Sequence, residues 1–204
     1  MADNVAITAG AGTTVATDDV SGVHYQKVKL DGGDDGVSAG ILGTATKGLY
    51  VDPRGSTTLI PATPTISASS IYAAKDAIGG IMTFANAARA SAGGGILESV
   101  TLIDKDQELS PIDLVLFSAT VAGTATDNSP FDPTDADLAN FIGAIPILAG
   151  DYADFTDNSA ATRTGIGLAY TCAATSLFGV LVARATPTYT ATSDITVILG
   201  VIPD

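Results

Sequence analysis

The side chains able to do covalent or acid–base chemistry are few and widely separated. His24 is the only histidine and Cys172 the only cysteine. A Ser-His-Asp or Cys-His centre needs an imidazole base beside its nucleophile. His24 lies in a glycine-rich N-terminal stretch, remote in sequence from Cys172. Cys172 follows Ile166, Leu168 and Tyr170 on one face of a period-two pattern, which suits a buried, inert thiol better than a reactive one. A glycosidase pair would have to come from scattered aspartates or from Glu98 and Glu108, the only glutamates. With no tryptophan and 6% aromatic residues, a sugar-stacking cleft is poorly supplied. These absences predict a protein that is not an enzyme and carries no cofactor.

Two acidic groups have the residue types for calcium: Asp127, Asn128, Asp132, Asp135 and Asp137, and then Asp151, Asp154, Asp157 and Asn158. Calcium takes six to eight oxygens from carboxylates and carbonyls, and neither group has the spacing of an EF-hand loop. Helix capping for the first and a solvated loop for the second are the expected roles, with no metal. The glycine runs Gly10–Gly12 and Gly93–Gly95 lack the Lys-Ser/Thr ending and the strand-to-helix setting of a phosphate loop, and read as turns.

Composition narrows the function classes. The chain has 204 residues, 15% charged and 46% hydrophobic, with a formal net charge of −13. Nine scattered lysines and arginines provide no basic footprint for nucleic acid or for an anionic membrane. No apolar run reaches the ~18 residues of a membrane span. The N-terminus shows no basic and apolar signal segment, so synthesis and folding in a cytoplasm are expected. Gly, Ala, Thr and Ser dominate what remains. Such a surface loses little side-chain entropy when covered, which suits extended subunit contacts.

The pattern that positions these residues is β. Gly165–Cys172, Ser176–Thr186 and Ile195–Ile202 alternate with period two, as do Ile96–Asp104 and Ile112–Phe117. Ser176–Thr186, Ile195–Ile202 and Ile112–Phe117 are apolar on both faces. One face belongs to the core; the other needs a second layer of this chain or another copy of it. Ile71, Lys75 and Ile78 suggest a short helix stopped at Gly79-Gly80. A second helix is expected after Asp132 as N-cap and Pro133 as first residue, with Leu138, Phe141 and Ile142 as its stripe and Gly143 as its end. Ala144–Leu148 then reads as an edge strand, because Pro146 cannot donate to a ladder. Residues 61–68, with Pro61 and Pro64, read as a linker or edge strand. The N-terminal third has short apolar pieces between glycine breaks, including strands at Val23–Leu30 and Leu49–Val51. The expected architecture is all-β: an antiparallel β-sandwich or jelly-roll-like domain at 63–204 with one short helix, preceded by an extended arm or small strand-rich subdomain at 1–62.

Four blocks carry a family resemblance: MADNVAITAGAGTTVATDDVSGVHYQKVKLDGG (Met1–Gly33), GGGILESVTLIDKDQELSPIDLVLFSA (Gly93–Ala119), TDNSPFDPTDADLANFIGAIPI (Thr126–Ile147) and LFGVLVARATPTYTATSDITVILGVIPD (Leu177–Asp204). Together they cover more than half of the chain, which resembles structural proteins of tailed-bacteriophage virions. The nearest role is a capsid cement or decoration protein. The resemblance implies a non-enzymatic β-sandwich on the outer capsid surface, with the major capsid protein as partner. A tail, neck or head-fibre component contacting the host surface is the alternative. The doubly apolar strands add an expectation of self-association as a dimer or trimer. In the arm, Val23 and Tyr25 supply apolar anchors, and Lys27 and Lys29 supply charge contacts, on one strand face. Those four residues are the expected capsid attachment.

Overall fold

The computed structural model describes residues 57–203, together with the backbone of β1 (Thr17–Val20) and β2 (Val23–Gln26). The chain divides into two units, Met1–Asp52 and Pro53–Asp204. In the first, β1 and β2 pair antiparallel, with Val20 opposite Val23 and Asp18 opposite Tyr25. Of the strand expected at Val23–Leu30, the first four residues are β2 and the others lie outside the described residues, as does Leu49–Val51.

The second unit is a β-sandwich of two antiparallel sheets. Its strands are β3 (Thr58–Ala62), β4 (Ala77–Phe84), β5 (Gly94–Asp104), β6 (Ile112–Phe117), β7 (Phe141–Ile147), β8 (Tyr152–Asp154), β9 (Ser159–Thr171), β10 (Leu177–Ala183) and β11 (Ile195–Pro203). One sheet has the order β4-β10-β6-β7, the other β3-β11-β5-β9-β8. Alternation explains the packing. In β11, Ile195, Val197, Leu199 and Val201 are fully buried, while Thr196, Ile198 and Ile202 between them are only partly covered. Leu97, Val100 and Leu102 of β5 join the first set, and Ile78, Leu114, Leu116, Leu177 and Leu181 meet them from the facing sheet. Burial of each large aliphatic side chain contributes about 1.5–3 kcal/mol, so this single layer dominates the stability of the unit.

The second faces of β6 and β10 are covered by the chain itself. Val115, Phe117, Val180 and Val182 pack with Ala77, Val121 and Ala125 in a separate buried cluster, against which Phe131 and Phe178 lie. Val121, Ala125 and Phe131 belong to the segment 118–134, a strap laid across the outside of the sheet. Phe117 meets Phe131 edge-on at 6.2 Å between centroids and Phe141 at 6.0 Å.

Three elements differ from expectation. Residues 69–78 form no helix: Lys75 has φ +81°, and Ile78 is buried inside β4. Gly79 and Gly80 continue that strand at φ +78° and +73° instead of ending an element. A Cβ at Gly79 would collide with that of Pro64, so only glycine fits there. The second helix is a single turn, α1 (Asp135–Leu138), capped by Thr134 instead of Asp132. Phe141 and Ile142 open β7 instead of continuing a helical stripe, because the β-branched, Gly- and Pro-containing run FIGAIPI gains a full ladder beside β6. Finally, β3 pairs with β11 through Thr58–Val201 to Ala62–Val197, so the sandwich begins upstream of residue 63. Pro61 sits on that edge strand, where its missing donor costs nothing. Pro146 likewise lies on the edge strand β7.

Candidate functional site

Carboxylates are the most numerous ionisable groups in this chain, and several of them are committed to backbone amides. Asp137 is buried at the start of α1. It accepts hydrogen bonds from Ala122 N (2.8 Å), Gly123 N (2.9 Å), Thr134 N (2.8 Å) and Thr134 Oγ1 (2.7 Å). Those donors, the amide of Ala122 first and the Thr134 hydroxyl next, hold its carboxyl at about 2, below the ordinary 3.8. Asp127 takes the hydroxyls of Ser67 (2.6 Å) and Tyr72 (2.7 Å) and the amide of Gly79 (2.6 Å). Asp137 thus ties residues 122–123 of the strap to Thr134, and Asp127 fastens its middle to Ser67, Tyr72 and β4.

A third clamp closes one end of the sandwich. Asp104, almost fully buried, accepts from Asp106 N and Leu109 N at 3.0 and 3.1 Å, and burial raises its carboxyl above the ordinary value. Asp106 receives Thr190 N and Oγ1, Asp194 receives Ala191 N, and Lys105 Nζ donates to Ser193 O. The 105–109 turn and the 188–194 loop are thereby stitched together. The five residues first grouped for calcium do not converge: Asp127 and Asp137 serve different amides. In the second group, Asp151 receives Leu148 N and Arg163 and Asp154 receives Gln107. Among the described residues no three His, Cys, Asp or Glu side chains gather as a metal-binding set.

The one cysteine lies just past the end of β9. Cys172 is 3% exposed, and burial pushes its thiol up. Alkylation of the native protein is expected to run at least ~100-fold slower than in denaturant, because a buried thiol reacts only through opening. Equal rates with a thiol-specific reagent would mean that the strand end is open. A groove of about 440 Å³ runs between β7 and β9, lined by Pro146, Asp151, Arg163 and Ile166 among others. Its guanidinium is paired with both oxygens of Asp151 at 3.2 Å, and a neutralised pair offers little to an anion.

The outer face of the β3-β11-β5-β9-β8 sheet presents mainly uncharged side chains. Side chains at Leu59 and Ser99 flank Gly200 there, as the position of a Cβ added at Gly200 shows. Thr101 and Thr162 share a hydrogen bond at 3.1 Å, Thr63 and Thr196 another at 3.0 Å. Ile198 stands between Pro61 and Thr101, and Ile202 beside Ile96. Leu59 is 67% exposed and Ile96 43%.

Of the expected attachment residues, Val23 and Tyr25 fall in β2, and Lys27 and Lys29 lie outside the described residues. Sequence reasoning missed the clamps of Asp127 and Asp104. The spacing Thr134-x-x-Asp137 carried a readable signal, since it is the reciprocal cap that the structure shows. No family model matches the chain, and no curated protein matches it.

Proposed function

We propose that this protein is a non-enzymatic structural component of a tailed-phage virion, a cement protein that binds the outside of the capsid and stabilises contacts between capsomers. The observation that carries the reading is the resemblance of the four sequence blocks. The chemistry of the sandwich is compatible with it: its carboxylates clamp loops, its one described thiol is buried, and its broad sheet face bears Thr, Ile, Leu and Pro. A part made to be covered needs rigidity and short side chains more than reactive ones. The partner is the major capsid protein, and the protein also self-associates. Attachment runs through the arm: the β1–β2 hairpin adds strands to a capsid sheet, with Val23 and Tyr25 as apolar anchors and Lys27 and Lys29 meeting acidic groups.

Deletion of residues 1–36 tests this directly. The truncated chain is expected to remain soluble and melt cooperatively, because the sandwich core is built from residues beyond 57, yet to lose binding to heads that lack the protein. Decoration at full occupancy by the truncated chain would refute attachment through the arm. Heads without the protein are expected to burst at lower temperature, and unchanged head stability would refute the cement role. A copy number of a few per particle, instead of hundreds, would favour the tail, neck or fibre alternative.

A further inference from the structure

We propose that the outer face of the β3-β11-β5-β9-β8 sheet is a two-fold interface with a second copy of this chain. The inference deepens the self-association half of the proposed function and is independent of capsid binding.

Charge is the main ground. The chain carries a net −13, so two copies repel wherever their acidic surfaces approach. A two-fold interface brings a patch against itself. Any carboxylate near the axis then meets its own like charge, and complementary charge cannot be arranged as it can against a different partner. The face that meets its own copy in an acidic protein should therefore be nearly free of charge.

This face meets that requirement. Across β3, β11, β5 and β9 it presents Leu59, Pro61, Ile198, Ile202, Ile96 and a band of threonines and Ser99. The charged residues of these four strands are Asp104, buried on the core side, Arg163, paired with Asp151 in the groove, and Glu98 in the β5 bulge. The facing sheet is closed to such a contact by the 118–134 strap. Edge pairing is hindered as well: β3 carries Pro61, β7 carries Pro146, β8 has three residues, and β4 is bent by Gly79-Gly80. Thr and Ile side chains are stiff and short, so covering them costs little entropy. Leu59, 67% exposed, projects from the face beside Gly200 and Ser99 and offers an apolar side chain to a covering surface.

The test is the oligomeric state of the full chain, read by sedimentation equilibrium from nanomolar to tens of micromolar. A concentration-dependent dimer is expected. Ile198→Lys places a cation within the face, between Pro61 and Thr101, and should weaken the dimer at least ~100-fold, as an unpaired charge buried at an interface does. Thr101→Lys, on the exposed side of β5, should act the same way and guards against an unfolded Ile198 variant; both must keep the wild-type far-ultraviolet spectrum and melting transition. Phe155→Lys, exposed at 55% beyond β8, should leave the dimer intact. Glu98→Gln should tighten it. A wild-type monomer at tens of micromolar would overturn self-association itself. A dimer unchanged by both lysine variants, or a trimer, would overturn this face while leaving self-association standing.

Discussion

Replacing Asp127 with alanine is expected to destabilise the sandwich by about 3 kcal/mol, since it strands several buried donors at once. Three groups converge on this carboxylate: Ser67 Oγ, Tyr72 OH and the amide of Gly79. Tyr72 is fully buried and packs edge-on to Tyr189 at 6.0 Å, so its hydroxyl has no easy route to water. Gly79 cannot shift to compensate, because its left-handed backbone is wedged against Pro64. The loss spreads into the strap. Asp127 stands where the strap joins β4, with Asn128 N donating to Ala77 O at 2.9 Å and Ala77 N to Ser129 O at 2.8 Å. Loosening it should uncover Phe117, Val180 and Val182. Urea denaturation with a hydrophobic dye present reads both effects: a lower midpoint and dye binding before the main transition. Tyr72→Phe removes one of these donors together with the acceptor that Ser67 N uses at 2.9 Å, and should cost less, about 1–2 kcal/mol. In the double variant the two costs should fall short of adding, since they share a bond. A cost below about 1 kcal/mol for Asp127→Ala would mean that water replaces the carboxylate.

That clamp also shows why some of this fold was legible in the sequence and some was not. Period-two alternation in Ile112–Phe117 and Ile195–Ile202 marks strands directly, because one buried face dictates every second residue. It also signalled that a second face needed cover. For β6 and β10 the cover proved to be Val121, Ala125 and Phe131, which alternation cannot reveal: they sit in a loop and belong to no periodic run. Ile71, Lys75 and Ile78 have helical spacing, yet three residues are a weak signal, and pairing of β4 with β10 overrode it. Aspartates were readable as cappers, since Thr134 and Asp137 have the right offset. Which distant amide each one takes is set by tertiary packing, as with Asp127 and Gly79, 48 residues apart. The attachment residues Val23, Tyr25, Lys27 and Lys29 share a face by strand parity, the one signal that the sequence offers for them.

Two buried aspartates should give the stability of this protein opposite responses to acid, separable by mutation. Asp137 has its carboxyl lowered to about 2 by the amide of Ala122 and the hydroxyl of Thr134. A lowered folded value means the folded state prefers the charged form. Its contribution is therefore present above the unfolded value near 3.8 and is lost as pH falls through about 2. Asp104 has the reverse sign. Burial raises it, only partly offset by the amides of Asp106, Leu109 and Glu108 and by the Ser159 hydroxyl. The folded state prefers its neutral form, so its contribution is complete below 3.8 and is lost as pH rises through the raised value. The two windows meet near pH 4. Wild-type unfolding free energy should therefore rise from pH 2 towards 4 with help from Asp137, while Asp104 works against any further rise above it. In Asp137→Asn the low-pH slope should flatten, and the strap should be looser at neutral pH, because an amide cannot serve the same four donors. In Asp104→Asn the low-pH slope should be kept, and stability above pH 4 should climb more steeply than in the wild type. Chemical denaturation from pH 2.5 to 7 on the three proteins decides it. If Asp104→Asn left the slope above pH 4 unchanged, the carboxyl would be titrating as an ordinary solvated acid, and the buried clamp between the 105–109 turn and β9 would have to be open in solution.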